Sequence, residues 1–122
     1  LRKINPLEHD IQTAFFDWVR LAKNIHPVLK LVFAVPNAAK RGFKTAARMK
    51  AEGLVSGVPD VLFPAPRHGF SGLAMEFKRP GEKPTEAQLE FMDGLLKENW
   101  LVVVVTDSEA AIRTVRDYLG LR

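Results

Sequence analysis

The chain has 122 residues, 47% hydrophobic and 26% charged, which is enough for one domain with its own core and too little for a second. It contains no cysteine, which excludes disulfides, thiolate zinc sites and cysteine nucleophiles and is compatible with a reducing cytosol. The net charge of +4 is uneven: residues 1–50 carry ten Lys/Arg against three Asp/Glu and residues 51–122 eight against eleven, an asymmetry that suggests a polyanion-facing side.

The apolar positions Ile11, Ala14, Phe15, Trp18, Val19 and Ala22 recur at three and four, which predicts an amphipathic helix from Glu8 to about Ile25. Asn5-Pro6 opens it and His26-Pro27 closes it. Leu31 to Val35 is apolar and β-branched enough for a strand, broken by Pro36-Asn37. A second helix is expected over Thr45 to Glu52, with Gly53 as its stop signal. Lys40, Arg41, Lys44, Arg48 and Lys50 fall within eleven residues of one another with no acidic residue among them. They suit a phosphate backbone, although a solvated helix face would carry the same charges.

Asp60 to Phe63 and Leu73 to Lys78 read as two strands of a hairpin around a Pro/Gly-rich turn. Thr85-Glu86-Ala87-Gln88 is a capping-box sequence; Leu89, Met92, Leu95 and Leu96 supply the buried stripe of a helix ending near Asn99. Leu101 to Val105 is a near-continuous β-branched run, expected to be covered on both faces, and Ser108 caps a last helix reaching Tyr118 or Leu119. The order is αβαββαβα, an α/β fold with a mixed sheet flanked by helices, in one domain over 1–122. Trp18 and Trp100 fit core packing. The longest apolar run, Trp100 to Val105, is far too short to span a membrane, and the charged first residues lead into no apolar targeting core, so neither anchor nor signal peptide is expected.

Two charged positions stand out among strongly apolar neighbours. Glu76 and Lys78 are two residues apart, so strand periodicity places them on one face while Met75 and Phe77 point to the other. Asp60, approached through Gly57 and Pro59, brings a second carboxylate to the same sheet edge. Mg²⁺ takes one or two carboxylates, a backbone carbonyl and the phosphate while keeping several waters, so Asp60, Glu76 and the carbonyl of Phe77 are candidate ligands. Lys78 would orient or deprotonate the attacking water, or stabilise charge in the transition state. Gln88, in the first turn of the following helix, is able to face the same cleft or to serve only as the capping partner of Thr85. A surface Glu76–Lys78 ion pair with an unrelated Asp60 is the bland reading of the same residues. Arg79 and Lys83 follow the site directly and are candidate phosphate contacts. His9, His26 and His68 are too scattered for a local metal motif.

In order along the chain, Glu8 and Gln12, Pro36-Asn37, Lys50-Ala51-Glu52-Gly53, Ser56-Gly57-Val58-Pro59-Asp60, Glu76-Phe77-Lys78 and Thr85-Glu86-Ala87-Gln88 resemble the VRR-NUC branch of the PD-(D/E)xK nuclease superfamily. Family members often carry Asn-Gly where this chain has Asn37-Ala38. The resemblance implies a restriction-endonuclease-like core in which Asp60 and Glu76 bind Mg²⁺ or Mn²⁺, Lys78 is catalytic and Glu8 approaches the metal from the first helix. By charge and position, Lys40, Arg41, Lys44, Arg48, Arg79 and Lys83 are candidate DNA contacts, and Asn37 is a further candidate. Likeness to the small standalone members of phages and bacteria implies a cytoplasmic homodimer that nicks branched DNA such as four-way junctions, with no small-molecule cofactor and no membrane partner.

Three other functions compete. A flap or general DNA nuclease would use the same residues. A non-catalytic nucleic-acid-binding module would be expected to lack a carboxylate or the lysine, and neither is missing. A small-molecule phosphohydrolase needs a phosphate-cradling glycine loop, and none is apparent.

Overall fold

The computed structural model describes residues 7–36 and 43–121, for 43–46 the backbone alone. Helix α1 runs Glu8–Ala22 and buries Ile11, Phe15 and Val19 on one stripe. It is followed by a short 3-10 turn, Pro27–Leu31, then strand β1, Phe33–Ala34, and helix α2, Phe43–Ala51. Strands β2, Val61–Phe63, and β3, Leu73–Phe77, lead to helix α3, Glu86–Lys97. Strand β4, Leu101–Val105, and helix α4, Ser108–Leu119, complete the chain. The helix and strand order is the one that periodicity predicts.

The four strands lie in sequence order, β1 and β2 antiparallel, β2 and β3 antiparallel, β3 and β4 parallel. The expected hairpin is present, with Val61 opposite Met75 and Phe63 opposite Leu73. At its tip Arg67 and Phe70 exchange backbone hydrogen bonds across His68 and Gly69, both with positive φ, the geometry of a two-residue hairpin turn. The parallel step from β3 to β4 requires a crossover, which α3 provides.

Val61, Phe63, Leu73, Met75, Phe77 and Val105 point to the face covered by α1 and α4, and this is the core. Phe15 meets Phe77 at 5.9 Å between ring centroids, and Tyr118 meets Phe63 at the same distance. The buried Tyr118 hydroxyl donates to the Ala65 carbonyl at 2.6 Å, so its polar end is satisfied. Trp18 packs against this core, as expected, and the Trp100 indole lies against Gly72.

Several sequence expectations are corrected. Leu31 belongs to the 3-10 turn opened by Pro27, so β1 is only Phe33–Ala34, with both residues exposed. Strand β4 is at the edge of the sheet rather than covered on both faces; Leu101, Val102 and Val103 are half-buried and Val104 is exposed. Of the expected α3 stripe only Met92 is buried, while Leu89 and Leu96 are exposed, because α3 meets the sheet chiefly through β4. Asp107, not Ser108, caps α4, its carboxylate accepting from the Ala110 N–H at 2.7 Å. Helix α2 starts two residues before the expected Thr45, and Gly53, at φ +102°, follows its end. The expected opening signal Asn5-Pro6 lies outside the described residues. Among the described residues no helix is long and apolar enough to cross a membrane.

Candidate active site

On β3 the residues alternate as expected. Leu73, Met75 and Phe77 join the core, and Glu76 turns to the opposite face. Glu76 and Lys78 are both buried, at 1% and 5% exposure, so a surface ion pair is not what the structure holds. Lys78 is fixed through its backbone, its N–H donating to the Val105 carbonyl at 2.9 Å.

Asp60 precedes β2 and is tied down from two sides. Its backbone carbonyl accepts from the Val35 N–H at 2.8 Å, and its carboxylate accepts from the Phe77 N–H at 2.7 Å. The side chain therefore reaches across the hairpin to the residue between Glu76 and Lys78. Glu8, at the start of α1, is brought to the same place, and carboxylate oxygens of Glu8, Asp60 and Glu76 lie within 4.8 Å of one another. Glu8 and Asp60 are half-buried.

Gln88 has both of the roles that its sequence position allows. Its Oε1 accepts from the Thr85 N–H at 2.8 Å while its own N–H donates to Thr85 Oγ1 at 3.2 Å, a complete capping box. Its Nε2 donates to Glu76 Oε2 at 3.4 Å. The cap thus leaves the amide nitrogen directed at the carboxylate.

The helix start is held there by a close approach. A Cβ on Gly57, which has φ +86°, would lie 2.4 Å from the Ala87 carbonyl oxygen and 2.9 Å from the Gln88 nitrogen. Glycine is required both by the positive φ and by this steric limit. The Gly57-Val58-Pro59-Asp60 segment therefore places a ligand candidate and the α3 start against one another. Val35 and Thr85 support the site as well; the capping-box spacing marks Thr85 in the sequence, and no local pattern marks Val35.

Electrostatically the cluster is loaded. Burial, then a hydrogen bond to Asp60 and repulsion from it, with Glu8 adding less, push the Glu76 carboxyl up to about 9; Lys78 opposes the shift. Glu76 Oε1 is buried and has no hydrogen-bond partner among the described residues. Three carboxylates, one with an orphaned buried oxygen, form an all-oxygen donor set that fits a hard divalent cation.

The basic candidates are more dispersed. Arg79 and Lys83 are exposed beside the site, and the Arg79 N–H donates to Glu82 Oε1 at 2.8 Å, which fixes the turn. Arg48 is exposed on α2 and ion-paired to Glu52 at 3.7 Å, and Lys50 is exposed. Asn37, Lys40 and Arg41 lie outside the described residues, as does the side chain of Lys44.

No protein-family model and no curated protein matches the chain. Among solved structures it is similar to a VRR_NUC domain protein, with a TM-score of 0.80, 26% sequence identity, and coverage of 98% of this chain and 93% of the other. Together with the ordered motifs, the mixed four-stranded sheet and the carboxylates that meet beside β2 and β3, this likeness over nearly the whole of both chains supports membership of the VRR-NUC family and agrees with a restriction-endonuclease-like fold.

Proposed function

We propose that the chain is a divalent-metal-dependent endonuclease that hydrolyses DNA phosphodiester bonds. The observation carrying this reading is the convergence of Glu8, Asp60 and Glu76 at one point, with a buried Glu76 oxygen lacking a hydrogen-bond partner among the described residues. Asp60, Glu76 and Glu8 would hold Mg²⁺ or Mn²⁺, with the Phe77 carbonyl as a further ligand. The cation supplies Lewis acidity and neutralises charge on the phosphoryl oxygens.

The protein's own groups do the rest. Lys78 presents its side chain to the face that holds Glu76, where it positions the attacking water and offsets the charge that builds up on the phosphoryl group. Gln88 steadies the Glu76 carboxylate, and Phe77 does the same for Asp60 through its N–H. Arg79 and Lys83 extend positive charge along the substrate backbone, and the basic run from Lys40 to Lys50 adds to it.

The same reading gives the chain branched DNA as its substrate and a second copy of itself as its partner. A two-fold dimer presents two equivalent sites, as paired nicks across a four-way junction require. The deciding experiment is cleavage of matched linear, flap and four-way-junction DNAs with Mg²⁺ or Mn²⁺, beside Lys78→Ala and an EDTA control. Paired, metal-dependent and Lys78-dependent cuts in the junction support the full reading. Cuts confined to flaps or linear DNA remove the junction specificity, and binding without any cutting removes the nuclease.

A further inference from the structure

One aromatic side chain on the active face of the sheet takes no part in the site described above. Phe33, on β1, is 47% exposed. It stands opposite Leu62 on β2, which stands opposite Ala74 on β3. Paired residues share a face and alternate ones return to it, so Phe33, Leu62, Ala74 and Glu76 lie on one side. The neighbouring pair Ala34 and Val61 lies on the core side with Met75. Two strand spacings across and two residues along put Phe33 about 12 Å from Glu76, roughly three or four stacked bases at about 3.4 Å each.

Single exposed apolar side chains are ordinary. Phe33 differs in its position: it is one strand outward from the strand that Asp60 leads into, and it shares a sheet face with Glu76. An exposed aromatic face near a site that handles phosphates is a surface on which the bases of single-stranded nucleic acid stack. A base inside an intact duplex is stacked on both sides and has no face to offer. An unpaired one does.

We propose that Phe33 is a stacking platform for an unpaired base within a few nucleotides of the scissile phosphate. The preferred substrate is then DNA whose nucleotides flanking the cut are unpaired or easily unpaired. This inference rests on the nuclease reading and names the feature of DNA that the site selects.

Two measurements test it. The first is steady-state cleavage of a matched duplex and of the same sequence with unpaired nucleotides beside the cut. Phe33→Ala and Phe33→Leu should both raise KM for the unpaired substrate about tenfold with kcat nearly kept, leave the matched duplex unchanged, and be rescued by Phe33→Tyr or Phe33→Trp. The second uses 2-aminopurine at the unpaired position. Its fluorescence should be quenched on binding Lys78→Ala protein and stay bright with Lys78→Ala/Phe33→Leu.

Wild-type behaviour of Phe33→Leu in both assays overturns the proposal, as does an equal loss on both substrates. A change confined to the oligomeric state in sedimentation also overturns it, since Phe33 would then be a subunit contact. If wild-type protein cuts no DNA with either metal, the nuclease reading fails, while the fluorescence assay still decides whether Phe33 stacks on a base.

Discussion

Gln88 and Glu76 are joined by a hydrogen bond of 3.4 Å whose direction is set by a helix cap, because the Gln88 carbonyl oxygen is already committed to the Thr85 N–H at 2.8 Å. Only the amide nitrogen remains to face the carboxylate. The local rule that starts α3 thereby also orients a side chain of the site. Thr85→Ala should cost about 1 kcal/mol of stability through the missing cap, with little effect on the cleavage rate. Gln88→Ala should cost a similar amount and also slow cleavage about tenfold, the worth of one hydrogen bond to a charged group. Urea unfolding and single-turnover kinetics on the two variants separate these effects.

The raised Glu76 carboxyl makes stability pH-dependent. The unfolded chain releases this proton near 4.5, while the folded chain keeps it to about 9, so the folded state binds more protons between those values and stability falls as pH rises through that window. Thermal melts of metal-free protein should show a falling Tm across it. Glu76→Gln, which carries no charge to bury, should flatten the fall, raise Tm at alkaline pH and abolish cleavage. Mg²⁺ should raise the wild-type Tm in the same window and leave Glu76→Gln nearly unmoved.

Asp60 and Lys78 should separate metal binding from chemistry. Asparagine at position 60 still has an oxygen for the Phe77 N–H, which is accepted at 2.7 Å, so Asp60→Asn removes the charge while keeping that hydrogen bond. Its metal affinity by calorimetry should fall at least about tenfold. Lys78→Ala should keep metal and DNA binding and lose cleavage by about a thousandfold or more.

Gly57→Ala tests the close approach of two segments. The new methyl would meet the α3 backbone at 2.4 Å, and the positive φ adds strain, so a loss of roughly 2–4 kcal/mol in chemical unfolding is expected. Displacing the start of α3 should also weaken the Gln88–Glu76 hydrogen bond and slow cleavage in the protein that remains folded.

On the proposed reading the basic run binds DNA by charge. Neutralising Lys44 and Arg48 should weaken DNA binding and reduce the slope of log affinity against log salt by about 2, one for each phosphate no longer neutralised. An unchanged slope would assign these residues to a solvated helix face.

Local rules are legible in the chain alone. The periods of 3.6 and 2 set the order of helices and strands, the Thr85-to-Gln88 spacing set a cap, and alternation put Glu76 opposite Met75 and Phe77. Periodicity tells which residues share a face and says nothing of what covers it. Packing therefore settled that Val104, Leu89 and Leu96 stay exposed, because β4 is an edge strand and α3 meets the sheet chiefly through it. The site, too, is a product of packing. Glu8, Asp60 and Glu76 are far apart in the chain, and their meeting within 4.8 Å depends on where α1 lies on the sheet and on the Val35–Asp60 and Asp60–Phe77 hydrogen bonds. Family resemblance named Glu8 in advance, and packing of α1 through Phe15 onto Phe77 is what brings it there.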